Sequence, residues 1–161
     1  MKADAEWNAR VAAFWKSFDD SKPQEMLASM RALVDERPEG DARALAEWGG
    51  VHDALDLGAD AVSPYRRALA AGLDTEEQHR VTLQLASTLR NLGHVDEAIA
   101  LLEHLDAPEL GDAPAAFLAL ALHSAGRPNE ALRVALTALA PHLPAYGRAA
   151  TAYAAELPTD V

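Results

Sequence analysis

Six histidines are the first residues in this chain to test for chemistry: His52, His79, His94, His104, His123 and His142. No two lie three or four residues apart, and no HExxH string occurs, so the helical spacing that would converge two imidazoles on one zinc ion is missing. There are no cysteines, which excludes thiolate metal sites, thiol nucleophiles and disulfides together. No serine stands in a nucleophile-elbow context, and the glycines are dispersed rather than gathered into a phosphate-binding loop. The sequence therefore predicts no catalytic residue, no metal and no cofactor. What remains is polar recognition. Arg80, Leu83, Ser87, Arg90 and Asn91 follow one another at intervals of three and four, so on a helix they share one face.

The elements that must position such a face are helical throughout. Half of the chain is hydrophobic, much of that is alanine, and Phe, Trp and Tyr number three each. Alanine is the best helix former and allows close helix packing, while no stretch alternates as a strand would. Nine helices are expected, over 4–19, 23–36, 41–56, 59–71, 75–92, 95–105, 113–125, 128–140 and 144–157. Glycines 58, 93 and 126 close alanine- and leucine-rich segments. Asp74 with Glu77 and Ser21 with Gln24 read as capping boxes, Asp41 and Asp112 as further caps, and Pro23, Pro114 and Pro128 as first-turn prolines.

An internal repeat organises these helices. Gly49, Ala86 and Ala119 are spaced by 37 and 33 residues, and each is followed twelve positions later by an alanine: Ala61, Ala98 and Ala131. Trp48, Leu85 and Leu118 stand one residue before the first small position, and Leu85 and Leu118 are expected to be buried between helices. The segments EWGGVHDALDLGADAVSPYRRALAAGL, LQLASTLRNLGHVDEAIALLEHL and FLALALHSAGRPNEALRVALTAL carry this pattern. They resemble the tetratricopeptide repeat family over about residues 41–157, and within it a group of small bacterial proteins of unassigned role. The resemblance implies an all-α, right-handed α-α superhelix of helical hairpins in a single domain. Residues 1–38 would form a capping hairpin, 41–140 three repeats and 144–157 a closing helix. Two features depart from the family pattern. Asp56 stands where a turn glycine is usual, which predicts an altered, longer first turn, and the closing proline is missing from all three units.

The same resemblance implies a concave groove lined by the first helix of each pair. Carried over position by position, the groove receives Arg43, Gly50 and Asp53, then Arg80, Leu83, Gln84, Ser87, Arg90 and Asn91, then Ala116, Leu120, His123 and Ser124. Asp53, Arg90 and His123 occupy equivalent places and would stack as a polar row. That row reads either as an internal Asp–Arg strut or as a recognition surface, with Arg80 and Arg90 taking a partner's carboxylate. The lysine and asparagine set with which some relatives clamp a terminal carboxylate is not reproduced. Trp7, Val11, Phe14, Trp15 and Phe18 form an apolar stripe that serves either as a cap or as a homodimer surface. Tyr146 and Tyr153 are expected to cover the last repeat, or else to stand at the open end of the groove.

Charge narrows the partners. With 14 basic and 25 acidic residues, net −11, the chain would repel nucleic-acid phosphates and anionic membranes on average. No apolar run suits a secretory signal or a membrane span, so a cytoplasmic protein that binds a protein or peptide is expected. Self-association through the amino-terminal aromatic stripe or an end of the solenoid and, more distantly, an enzyme or small-ligand binder built on the Asp53/Arg90/His123 row are the alternatives.

Overall fold

Each run of alanine and leucine closed by a left-handed residue becomes one helix. The computed structural model describes residues 2–160, and among these are nine α-helices and no strand. They are α1 (Lys2–Lys16), α2 (Pro23–Val34), α3 (Ala42–Ala54), α4 (Gly58–Ala71), α5 (Thr75–Asn91), α6 (Val95–Glu103), α7 (Ala113–Ser124), α8 (Pro128–Leu139) and α9 (Gly147–Ala155). Short 3-10 turns occupy Pro108–Leu110 and Ala140–His142. The chain falls into two compact units, one up to Val81 and one from Thr82 onward, with the boundary inside α5.

The three repeat hairpins turn in the same way, which corrects the expectation of a longer first turn. Each has three linking residues, 55–57, 92–94 and 125–127. In each the second linking residue is left-handed: Asp56 (φ 59°), Gly93 (φ 86°) and Gly126 (φ 76°). The backbone N–H groups of Leu57, His94 and Arg127 donate to the carbonyls of His52, Leu89 and Leu122 at 2.8, 2.9 and 2.9 Å. This is the Schellman closure in all three. Aspartate tolerates the left-handed region at a modest energetic cost, so Asp56 does the work of the glycine. Gly58 does not close α3; it opens α4.

Close approach explains the small positions. Ala61, Ala86 and Ala98 are fully buried, and Ala119 and Ala131 nearly so. At Gly49 a Cβ would lie 2.6 Å from the ring of Tyr65, itself wholly buried, so α3 and α4 meet where only glycine fits. Leu85 is buried at 2% exposure, whereas Leu118 is only half-buried, so the expectation for Leu118 is corrected. In the first unit the amino-terminal stripe faces inward. Trp7, Val11 and Phe14 are buried, and Trp15 and Phe18 pack against a core containing Met26, Met30 and Val51. The Trp7 indole N–H donates to the Leu33 carbonyl at 2.9 Å, and the Arg37 guanidinium lies over its ring.

Several cap assignments change because the side chains have other partners. Asp41 caps α3 and Asp74 caps α5 as expected, accepting from the N–H of Ala44 and Glu77 at 2.9 Å each. Glu77 does not complete a capping box, because its carboxylate pairs with Arg43. Ser21 donates to Asp19 instead of capping α2, which opens at Lys22. Asp112 makes no cap and pairs with His142 at 2.6 Å. The last helix begins at Gly147, three residues later than expected, because Tyr146 takes a left-handed conformation (φ 67°). Tyr146 and Tyr153 are 85% and 68% exposed, so they do not cover the last repeat; Ala154 does the packing instead.

Candidate interaction face

In the first unit, α3 and the start of α5 carry Arg43, Glu47, Gly50, Asp53 and Arg80. Each arginine already faces a carboxylate. Arg43 Nε lies 2.6 Å from Glu77 Oε1, and Arg80 Nη2 lies 3.7 Å from Glu47 Oε1. The glutamate side chains are only 16% and 13% exposed. Glu47 also accepts from the Trp15 indole N–H at 2.6 Å, so it ties α1 to α3. Neither the charge pattern nor the repeat alignment singles out Glu47; only the side chain of α1 reveals its role. Gly50, expected in the groove, is buried under Trp15, whose ring a Cβ there would approach to 3.3 Å.

Asp53 is half-buried and close to the hydroxyl of Tyr65. That hydroxyl is enclosed, and its alignment with the carboxylate falls short of a well-formed hydrogen bond. Burial raises the phenol's pKa far above its ordinary value, the negative charges of Asp53 and Glu47 add to the effect, and Arg80 opposes it. Tyr65 therefore stays a neutral donor at any physiological pH. His52, beside Asp53 in sequence, points into the core: its Nδ1 lies 2.7 Å from the Trp48 carbonyl and its ring stands edge-on to Trp48.

The second unit differs. Arg90, at the end of α5, donates from Nη2 to Asn91 Oδ1 at 2.8 Å and from Nη1 to Ser124 Oγ at 3.4 Å. Both acceptors are neutral, and Arg90 has no carboxylate partner within its unit. Its Nε is buried without a partner. The Ser124 hydroxyl donates back to the Leu120 carbonyl at 3.0 Å, which fixes its lone pairs toward the guanidinium. Leu120 is 48% exposed, and Asn91 and His123 are exposed beside it. Gln84 and Ser87 are half-buried on α5. The second unit thus gathers Asn91 and Ser124 as acceptors around the Arg90 guanidinium, with His123 next to Ser124 in sequence. Asp53, expected in the same row, belongs to the first unit and is engaged there with Tyr65.

Among the described residues no group of three or more His, Asp or Glu side chains could hold a metal ion, and no helix is long and apolar enough to cross a membrane. A tetratrico peptide repeat family model matches residues 42–157. The chain is a member of the tetratricopeptide repeat family. No curated protein and no solved structure matches it. The matched span begins with α3, so the hairpin of α1 and α2, which supplies Trp15 to Glu47, lies outside it. As a family these repeats are protein-interaction scaffolds.

Proposed function

We propose that this tetratricopeptide-repeat protein is a non-catalytic adaptor that holds a protein partner by an acidic side chain or free carboxylate placed on Arg90. One observation carries the reading. In a chain of net charge −11, Arg43 and Arg80 are matched by glutamates, whereas Arg90 is held out by two neutral groups, Asn91 and Ser124. A guanidinium so oriented pays little further ordering entropy on binding and can offer paired donors to a planar carboxylate. The exposed Leu120 next to it supplies an apolar contact for the neighbouring residue of the partner. Asn91, Ser87, Gln84 and His123 then serve as polar neighbours, and Arg43, Asp53 and Arg80 belong to a strut that orders the first unit.

The test selects peptides from a random displayed pool on the wild-type protein and measures the winners by fluorescence anisotropy. Enrichment of Asp, Glu or a free carboxyl terminus is expected, with Arg90→Glu weakening binding at least about tenfold. Arg80→Glu should change it less than about threefold, since that arginine is screened by Glu47. Winners without an acidic group, or equal binding by Arg90→Glu, would overturn the assignment.

A further inference from the structure

The outward face of α9 sets charges of both signs beside small side chains. The helix buries Ala154 and turns Arg148 and Ala152 to solvent, with Thr151, Tyr153 and Ala155 also exposed, and its C-cap Glu156 is exposed in turn. Residues 140–155 contain no Asp or Glu, in a chain that has 25 of them. Leu139 just before the stretch is 50% exposed. Arg148, Ala152 and Glu156 are spaced by four, so they lie in line along one face. Arg148 and Glu156 are about 12 Å apart along the axis, too far to pair with each other. Neither has an ion-pair partner among the described residues.

We infer that α9 pairs antiparallel with the α9 of a second copy of this chain, across a two-fold axis at Ala152. The face is its own complement. Ala152 is midway between Arg148 and Glu156, so reversing the helix about it brings each arginine opposite the other copy's glutamate. An isologous interface requires this arrangement, in which residue i meets j and j meets i. The alanine at the axis allows the close approach that helix packing needs, and Tyr153 flanks the contact with an aromatic ring. Charge is compatible with the same surface. Two chains of −11 each repel on average, but α9 itself carries no Asp or Glu, and Glu156 just beyond it would be met by an arginine. The pairing is independent of the Arg90 assignment.

The experiment is sedimentation velocity on the whole chain over about 1–200 μM, with folding checked by circular dichroism. Wild type should show a concentration-dependent dimer. Arg148→Glu and Glu156→Arg should each weaken it about tenfold or more, because every reversal acts at both symmetric contacts. The double swap, Arg148→Glu with Glu156→Arg, should restore it to within about threefold. A monomer throughout, a dimer indifferent to the single reversals, or a double swap that fails to rescue would overturn the inference. Ala152→Cys gives a second readout that does not depend on charge. A lone cysteine at the axis should cross-link readily on oxidation, and Ser29→Cys on the exposed side of α2 should not. Equal cross-linking of the two would also overturn it.

Discussion

Adding one methyl group to each of two adjacent glycines should move stability in opposite directions. At either position in α3, replacing glycine by alanine gains about 1 kcal/mol of helix propensity. At Gly50 the new Cβ would sit 3.3 Å from the edge of Trp15, a half-buried ring that can give by a few tenths of an ångström. The propensity term wins, and Gly50→Ala should be neutral or up to about 1 kcal/mol more stable. At Gly49 the Cβ would meet Tyr65 Cδ1 at 2.6 Å and Cε1 at 2.7 Å. A carbon pair needs about 3.5 Å, and Tyr65 is fully buried with no space to retreat into. Separating α3 from α4 costs about 1–3 kcal/mol of overpacking, with lost burial of neighbouring side chains added. The net for Gly49→Ala is a loss of about 1–2 kcal/mol. Denaturant unfolding followed at 222 nm measures both. A Gly49→Ala protein as stable as wild type would refute the close-approach argument. Tyr65→Leu in the Gly49→Ala background should recover part of the loss, giving a coupling of about 1 kcal/mol in the double-mutant cycle.

Three further outcomes follow from the same geometry. Asp56→Gly should stabilise the chain by about 0.5–1 kcal/mol, read as a raised denaturation midpoint, because the left-handed residue loses its Cβ penalty without changing the turn. Leu85→Ala should cost about 2–5 kcal/mol and Leu118→Ala clearly less, since only the former side chain is wholly enclosed. Asp160 accepts from the N–H groups of Asn129 and Glu130 at 3.1 and 2.9 Å and from the Asn129 amide at 2.8 Å. Partial desolvation pushes its pKa up, but the hydrogen bonds from Glu130 and Asn129, with the charge of Arg133, outweigh that and lower it. A depressed folded pKa stabilises above the unfolded value and fades as pH falls through the folded one. Protection of the Asn129 and Glu130 amides, measured against the intrinsic exchange rate at each pH, should therefore fall in acid, and Asp160→Asn should show reduced protection already at neutral pH.

The helices and their repeat were legible because their signals are local: a proline in the first turn, a left-handed residue at the end, a small side chain at the crossing. The misreadings share a cause. Ser21, Glu77 and Asp112 have the chemistry of caps, yet their side chains go to Asp19, Arg43 and His142. Two of those partners lie about thirty residues away, beyond any local pattern. Asp56 departs from the family pattern, but the Schellman turn tests φ rather than residue type, and aspartate passes. Tyr146 and Tyr153 are seven residues apart, a spacing that shares a face only if both are helical, and Tyr146 is not. Within the face, Arg80 and Arg90 looked alike at helical spacing. What separates them is which neighbours carry glutamate, and Glu47 is marked out by the Trp15 side chain that reaches it from α1.

The contact between Asp160 and the start of α8 also has a bearing on the order of assembly. Helical hairpins mature through neighbours close in sequence, and such proximity makes folding fast. The first turn of α8 instead waits for a carboxylate some thirty residues downstream, and Arg133 waits likewise for the carbonyls of Ala154 and Leu157. During synthesis, α8 is therefore made well before the groups that complete it exist. Until those groups emerge, the first-turn amides of α8 and the Arg133 guanidinium are left to water.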